Sequence, residues 1–349
     1  MAHNFAITMD LKKNRPVAIW LFTGAVMIVI QILLGGITRL TGSGLSITEW
    51  KPILGALPPM NEQDWNVAFE KYKQIAQYKY IHNYFTLKDF KFIYFWEWLH
   101  RNWGRFIGIV FIIPFAYFIY KKKIDRSMLW PMVILLVLGA LQGAIGWIMV
   151  ASGVGTDLVY VSHIRLAVHF MAALVLLVYV VWFALKISVP DFKKLNLPAI
   201  KNFTWLLLVI LTIQLIYGAF MAGTHAAKSA ITWPSINGQW VPDMSEGGIF
   251  HNLLAIQFIH RGLAYLITIL VVLYTVMLYR QPVSSTVYRL RNIPLLTTII
   301  QVALGIFTLV HYLNPQAKLW LGITHQFVGI LLLVSLVMVY FYSTRRSYK

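Results

Sequence analysis

Long apolar runs alternate with short polar connections along the whole chain. Each run is roughly 20 residues long, which is the length of helix that crosses the hydrocarbon core of a bilayer. The runs lie at about 17–38, 102–120, 130–150, 164–185, 203–223, 257–279, 293–312 and 319–342. This pattern predicts an all-α membrane protein with eight transmembrane helices and with both termini on one side.

Basic residues predict the orientation of these helices, because Lys and Arg are enriched in connections that remain in the cytoplasm. They cluster at both termini and in the second, fourth and sixth connections: Lys12, Lys13, Arg15, Lys121, Lys122, Lys123, Arg126, Lys186, Lys193, Lys194, Lys201, Arg280, Arg289, Arg291, Arg345, Arg346 and Lys349. Both termini are therefore predicted to be cytoplasmic. The long first connection also holds basic residues, but long loops influence orientation little.

Composition agrees with a membrane protein. Of the 349 residues, 59% are hydrophobic and 12% charged, whereas soluble domains have roughly 25% charged residues. The net charge of +18 lies in the connections, so it indicates topology and contact with the lipid bilayer, and no nucleic-acid partner is expected. The chain has no Cys, which excludes disulfides, thiolate metal sites and cysteine-ligated clusters. Since Met1–Pro16 lacks a transit signature, we expect the bacterial plasma (inner) membrane.

The two halves of the chain resemble each other. The matched positions are Gln31, Gly35, Thr41 and Trp50 with Gln214, Gly218, Thr224 and Trp233, and the runs 142–146 with 301–305. Four helices per repeat is an even number, so the halves run in the same direction and are related by a pseudo-two-fold axis. We expect two four-helix bundles, one at 1–190 with an external cap at 39–96, the other at 191–349. Within the cap, 61–80 has the apolar spacing of a surface helix.

Four histidines have matched places in these halves. His100 and His169 lie in the second and fourth helices, and His260 and His325 lie in the sixth and eighth, all in the outer third of the membrane. Two imidazoles that face each other across a four-helix bundle are typical axial ligands of a b-type haem. A single core histidine more often just hydrogen-bonds to a neighbour, but four repeat-related ones favour ligation. Zinc fits less well, since no third or fourth ligand accompanies either pair.

The other six histidines are expected to be solvated or at the membrane interface. They are His3, His82, His163, His225, His251 and His311.

Arginines near the four histidines are candidates for the haem propionates, which need cationic and preferably bidentate partners. They are Arg101, Arg105, Arg165 and Arg261. The alternative is that these side chains extend toward lipid phosphates.

Glu97 is the one clear difference between the halves. It lies one turn before His100, whereas Gln257 holds the equivalent place before His260. Ionisable side chains at the mouth of a membrane helix are costly and usually functional. The plainer interpretation is an ion pair between Glu97 and Arg101. The sharper one is that the first bundle does chemistry, since a carboxylate can stabilise a developing cation or move protons better than an amide.

These features resemble the haem A synthase family over nearly the whole chain. The specific motifs are Arg39-Leu-Thr-Gly-Ser-Gly-Leu-Ser-Ile-Thr-Glu-Trp-Lys-Pro52 and Glu97-Trp-Leu-His100-Arg101, and single histidines follow in helices four, six and eight. The family oxidises the methyl group at ring position 8 of haem O, through an alcohol, to the formyl group of haem A for terminal oxidases. Some members of the family carry a cysteine pair in the first external connection. This chain lacks that pair and resembles the proteobacterial and mitochondrial branch, so electron entry through thiols is not expected here.

The resemblance implies a role for each candidate residue. The iron of the substrate haem O would lie between His100 and His169, with Arg101 and Arg165 nearby and Glu97 as the catalytic carboxylate. His260 and His325, with Arg261, would hold a haem b that relays electrons. A haem O synthase and terminal-oxidase assembly factors are candidate partners, and a homo-oligomer is left open.

Two other classes of function remain open on the residues alone. A di-haem electron-transfer cytochrome b that acts with quinol fits the repeat and the histidines equally well, but not Glu97 or segment 39–52. A transporter with Gln31, Gln142, Gln214 and Gln301 as a polar path fits less well, because such glutamines more often hydrogen-bond between helices.

Overall fold

A computed structural model of the chain describes residues 11–51, 54–189 and 197–343. Within these residues, eight helices are long and apolar enough to cross a membrane, as predicted. They are α1 Leu11–Leu40, α2 Leu87–Tyr120, α3 Arg126–Val150, α4 His163–Ser188, α5 Pro198–Thr224, α6 Leu253–Arg280, α7 Ile293–Val310 and α8 Pro315–Ser343. The chain is therefore an all-α, multi-pass membrane protein. His3, Pro52, Lys193, Lys194, Arg345, Arg346, Lys349 and the predicted boundary at 190/191 lie outside the described residues.

Helix α2 begins much earlier than its apolar run predicted. Thr86 and Asp89 form a capping box at its start, and the side chains of Phe90 and Ile93 are buried against the cap. Hydropathy missed these first turns because charged and apolar residues alternate in them, as expected of a helix that packs on a loop. Glu97 and His100 therefore lie well inside α2, not at its first turn, which corrects the expected position.

The packing of helices in one half has a counterpart in the other. Helix α1 packs on α2 and α4, and α5 packs on α6 and α8. Likewise α3 packs on α4, and α7 on α8. Between the halves, α4 lies against α5 and α8 lies against α1. Helices α1, α4 and α8 have the largest share of buried residues among the eight, and α2 and α3 have the smallest. The pseudo-two-fold relation of the halves stays a prediction.

The segment between α1 and α2 packs on the outer part of α2. Within the predicted helix at 61–80, the structure has a helix at Glu62–Lys73, with Asn61 as its N-cap. Phe69 and Tyr72 on this helix are buried, and the Phe69 ring stacks on Phe90 of α2 with centroids 5.0 Å apart. The side chain of Trp98 donates to the backbone oxygen of Ala56 at 2.9 Å. Apolar packing and side chain-to-backbone bonds thus hold the cap on α2.

His82 lies inside this cap, so the expectation that it is solvated was wrong. It is buried, its Nδ1 lies 2.6 Å from the Tyr72 hydroxyl, and its ring stacks on Phe85 with centroids 4.0 Å apart. Tyr72 in turn donates to Gln77. Burial lowers the pKa of His82.

This burial predicts that acid loosens the cap. Because the folded pKa of His82 is below its ordinary value of 6.5, the open cap binds the proton more readily. The contribution of neutral His82 to the stability of the closed cap is therefore complete above pH 6.5 and is lost as the pH falls below 6.5. At pH 5.5 the opening equilibrium should rise at most about tenfold, which hydrogen exchange of the cap amides, corrected for intrinsic rates, would measure. His82→Phe should remove the pH dependence, and the exposed His251→Gln should not; equal pH dependence in His82→Phe would contradict this explanation.

Candidate functional site

Glu97 is a buried carboxylate on α2 whose two oxygens are both hydrogen-bonded. The residue is 2% exposed. Its Oε2 accepts from the Ser46 hydroxyl at 2.7 Å and from the backbone N–H of Ile47 at 2.9 Å. Its Oε1 accepts from Arg101 Nη2 at 2.5 Å, one helical turn further along α2. Charge-assisted bonds of this kind hold a carboxylate in one orientation.

Arg101 binds the same loop segment that donates to Glu97. Its Nη2 also donates to the backbone oxygen of Ile47 at 2.9 Å, and its Nη1 donates to that of Glu49 at 3.3 Å. Segment 46–49 is therefore tied to α2 through its donors at Glu97 and through its carbonyls at Arg101. The ion pair expected in the plainer interpretation of Glu97 is present. The catalytic role of Glu97 stays a prediction.

Gln257 has the corresponding place on α6, with the opposite hydrogen-bonding character. It is fully buried, and its Nε2 donates to the backbone oxygens of Ala226 and Ala230 at 3.3 and 3.0 Å. Its Oε1 accepts from Arg261 Nη2 at 2.9 Å. The bond from an arginine one turn later thus recurs in both halves. The loop offers carbonyls to Gln257 but a hydroxyl and an N–H to Glu97, so each loop suits its own residue and only the first half has the negative charge.

The four predicted histidines occur as two pairs, each between two helices. His100 on α2 and His169 on α4 are close enough to interact electrostatically. The rings of His260 on α6 and His325 on α8 lie 6.5 Å apart between centroids, with their planes at 72°. All four side chains are half-buried. The fold therefore brings together the residues that the sequence paired.

The unsatisfied atoms of these pairs fit a haem. His100 Nδ1 and His260 Nδ1 are buried and have no hydrogen-bond partner. Buried polar atoms nearly always have one, so an orphaned atom indicates an ion or ligand that completes the site. Within the described residues, no group of three or more His, Cys, Asp or Glu could hold a metal ion. Each histidine pair therefore suits a metal that brings most of its own ligands, as haem iron does.

A glutamine on the preceding helix contacts each of these histidines. The pairs are Gln31 with His100, Gln142 with His169, Gln214 with His260 and Gln301 with His325. In the first half, Gln31 Nε2 donates to the backbone oxygen of His100 at 3.0 Å. Gln142 Nε2 donates likewise to His169 at 2.9 Å and lies 3.3 Å from its ring Nδ1. The amides thus position the helix turns that hold the imidazoles.

The second half uses the same glutamine positions in a different way. His325 Nδ1 donates to the backbone oxygen of Gln301 at 3.1 Å, and the Gln301 side chain lies 3.3 Å from the other ring nitrogen. His260 lies next to the backbone of Gln214. The hydrogen bond from Nδ1 to a backbone oxygen fixes the ring and the tautomer of His325.

A glycine one turn after each glutamine lets the imidazole approach the helix backbone. A Cβ at Gly35, Gly146, Gly218 or Gly305 would stand 3.1, 2.9, 3.3 or 3.0 Å from the Cε1 of the paired histidine. The odd-numbered helices therefore share the motif Gln-x-x-x-Gly, which we call the histidine cradle. Sequence comparison matched these positions between the halves, and its expectation that the glutamines hydrogen-bond between helices is met by Gln31 and Gln142. The signal it missed is that the same motif occurs four times, each time one helix before a candidate ligand.

The four candidate arginines all bond to groups of the protein. Arg105 donates to Asn102 and to the backbone of Lys51, and Arg165 donates to the backbone oxygen of Ile148 at 2.9 Å. Arg261 binds the loop after α5 through the backbone oxygens of Ala230 and Ser235, as Arg101 binds segment 46–49. The contacts of Arg101, Arg105 and Arg261 hold loops on the helix ends, and that of Arg165 joins α4 to α3. Contact with haem propionates stays a prediction for each arginine.

Comparisons with known proteins agree with one of the functions considered. A profile of the COX15-CtaA family, described as cytochrome oxidase assembly protein, matches residues 18–337. A relative from Flavobacterium psychrophilum, named Heme A synthase, is 40% identical over 343 residues, which cover 93% of this chain and 97% of the relative. Relatives of the same name from Bartonella tribocorum and Azorhizobium caulinodans are 37% and 40% identical, and the matches cover 98% and 96% of this chain and 96% of each relative. None of these three is named as an electron-transfer cytochrome or a transporter.

Proposed function

The chain belongs to the COX15-CtaA family of cytochrome oxidase assembly proteins, the haem A synthases, and we propose on that premise that it oxidises the C8 methyl group of haem O to the formyl group of haem A. The observation that most supports this chemistry is the buried carboxylate of Glu97, one turn from a histidine ligand, where the other half has the amide of Gln257. The family and the relatives supply the reaction, and this asymmetry supports the first half as the one that performs it.

In this proposal the two histidine pairs have different occupants. His100 and His169 bind the iron of the substrate, haem O, beside Glu97. His260 and His325 bind a haem b, which supplies one-electron transfer when it is bound. The orphaned Nδ1 atoms of His100 and His260 support an iron ligand in each half. We propose accordingly that residues 1–190 form the catalytic bundle with its cap at 39–96, and that residues 191–349 form the haem b bundle.

Glu97 would act on the methyl carbon of haem O. Two successive two-electron oxidations, first to the alcohol and then to the aldehyde, leave that carbon electron-poor before each oxygen–carbon bond is complete. A fixed carboxylate in a site shielded from water stabilises such developing positive charge and can accept a proton. Ser46, Ile47 and Arg101 hold the carboxylate in place, so little reorganisation is needed when the charge appears.

The histidine cradle would position the ligands. Hydrogen bonds from the surroundings orient a metal-binding imidazole and tune the metal, and their loss typically costs 10–100-fold in affinity or activity. In each half, one glutamine and one glycine per histidine set the depth and orientation of the ring. We therefore assign Gln31, Gln142, Gln214 and Gln301 as positioning residues.

Several wider features belong to the same proposal. The positive-inside pattern supports cytoplasmic termini, and Glu97 and the histidines would then lie toward the outer surface. A haem O synthase that delivers the substrate, assembly factors of a terminal oxidase that receive the product, and a second copy of this chain are the partners we propose.

The pigment content of purified protein tests the function. Full-length protein expressed with a haem O source should contain haem b together with haem O and haem A. Without that source it should contain haem b in the second site and no haem A. An electron-transfer cytochrome would contain haem b alone under both conditions, and that result would refute the proposed activity. Extraction and chromatography of the pigments distinguish these outcomes directly.

A further inference from the structure

A guanidinium that no candidate site uses lies where the two halves of the protein meet. Arg39 is in the last turn of α1 and is half-buried. Its side chain lies beside that of Tyr312 in the connection between α7 and α8. Its Nη2 is shielded from solvent and has no hydrogen-bond partner. Guanidinium groups are bidentate donors that match carboxylates and phosphates, so this orphaned nitrogen indicates an anionic partner.

Phenols and further cations surround Arg39. The Tyr312 hydroxyl lies 3.3 Å from His225 Nδ1, and the ring of Tyr160 lies 4.5 Å from that of His225 between centroids. Lys318 Nζ lies 5.5 Å from the centre of the Tyr312 ring, and its charge interacts with that of Arg39. We call Arg39, Tyr160, His225, Tyr312 and Lys318 the outer cationic cluster.

The cluster has no compensating negative charge. Among the described residues, no carboxylate acts on Arg39, His225 or Lys318. In the described part of the chain, the charged groups that act on His225 are the cations Arg39, Lys318 and Lys228. Burial first and these cations second lower the pKa of His225 to about 3. Half-buried like charges that face one another are costly unless an anion joins them.

The position of the cluster relates it to both histidine pairs. Arg39 is four residues after Gly35, which contacts His100, so it lies on the same face of α1 about 6 Å further out. Lys318 is seven residues before His325 on α8, on the same face and about 10 Å further out. The cluster therefore lies outward of each iron-binding position, near the interface of the halves, where helix α8 packs against α1.

We propose that the outer cationic cluster is a carboxylate-binding site that takes the propionate groups of the haem molecules, with Arg39 on the side of His100 and Lys318 on the side of His325. This assignment rests on the proposed function, since it needs a tetrapyrrole at those histidines. The Tyr312 oxygen can accept from Arg39 and so helps to hold the guanidinium in place. The arginines first considered for this role, among them Arg101 and Arg165, already bond to backbone carbonyls.

A comparison of two pigments tests the site. Full-length protein produced under haem limitation would be titrated with ferric haem b and with its dimethyl ester, which lacks both carboxylates, and binding would be followed in the Soret band. Wild-type protein should bind haem b at least about tenfold more tightly than the ester, because the ester has no carboxylates to accept charge-assisted hydrogen bonds from Arg39 and Lys318. Arg39→Leu and Lys318→Gln should each lower this affinity ratio several-fold toward one. The variants should bind haem b more weakly and bind the ester with unchanged affinity.

Controls separate this site from its alternatives. Arg289→Leu removes one exposed charge at the opposite end of the protein and should keep the wild-type ratio. If Arg39→Leu does not give monodisperse protein, Lys318→Gln and Tyr312→Phe report on the same site. An unchanged ratio in these variants, or loss of the ratio in Arg165→Leu instead, would overturn the proposal.

A phospholipid headgroup is the other source of an anion with this chemistry. Mass spectrometry of lipids retained by each variant would detect it. Loss of bound phospholipid from Arg39→Leu, with the pigment ratio unchanged, would assign the cluster to lipid phosphate and refute the propionate site. Failure of wild-type protein to bind either pigment would count against the proposed function itself, since the ester needs only the histidines.

Discussion

Glu97→Gln is expected to leave both haem pigments bound and to slow the formation of haem A by about 100-fold or more. The amide has the shape of the carboxylate and keeps one oxygen for Ser46 and Ile47. It loses the bond from Arg101, but Arg101 keeps its bond to the backbone oxygen of Ile47, so the loop segment 46–49 should stay in place. The amide lacks the negative charge, which we expect to contribute about 3 kcal/mol to the transition state at this rate ratio. Haem O, or the alcohol intermediate, should accumulate in the purified protein, as pigment extraction would show.

A second carboxylate in the cap provides the matched control. Glu49 pairs with Lys51 and Lys71 near the surface, and only its backbone oxygen bonds to Arg101. Glu49→Gln removes the same charge and should produce haem A at close to the wild-type rate. Normal haem A production by Glu97→Gln protein that still contains haem would eliminate the catalytic role of Glu97. Equal losses in both variants would indicate that the cap needs its charge for folding.

The two histidine pairs are expected to lose different pigments when they are mutated. His325→Leu should abolish the bound haem b, with an affinity loss of about 100-fold or more, because a direct iron ligand matters at least as much as the hydrogen-bonded groups around it. Haem O should remain bound in the first half. His169→Leu should give the reciprocal result, with haem b present and haem O absent. Both variants should make little haem A, the first for lack of electron transfer and the second for lack of substrate.

Gln301→Leu is the matched variant for His325→Leu, since it removes a side-chain contact with the same ring. It should keep haem b, with affinity about 10-fold lower, and change the reduction potential and the low-temperature electron paramagnetic resonance spectrum of that haem only. A purely structural role of Gln301 would lower protein yield without changing either spectroscopic value. Loss of both pigments from His325→Leu would contradict separate sites in the two halves.

Much of the fold follows from the sequence, because a bilayer imposes a simple rule. A segment that crosses it must satisfy its backbone internally and present about 20 apolar residues. Hydropathy therefore identified all eight helices, and most of their ends lie within a few residues of the prediction. The exception is α2, whose first turns pack on the cap and have no apolar run. Its start depends on contacts with residues such as Phe69, which are distant in sequence.

Candidate ligands could also be found from sequence, because internal repetition takes the place of an alignment. His100, His169, His260 and His325 have equivalent places, and Glu97 stands out only by comparison with Gln257. What these residues contact could not be read in the same way. The carboxylate of Glu97 binds a loop about 50 positions away, and no local pattern encodes a contact of that range.

The sequence by itself thus determined the eight helices, the pairing of histidines and the difference between Glu97 and Gln257. Helical period and bilayer thickness are local constraints, so these features are visible in consecutive residues. Tertiary structure alone decided that Gln-x-x-x-Gly lies against each histidine, that His82 is buried in the cap, and that Arg39 meets Tyr312 and Lys318 at the interface of the halves. Each of these depends on how side chains from separate helices meet, and that is set by packing rather than by the order of residues.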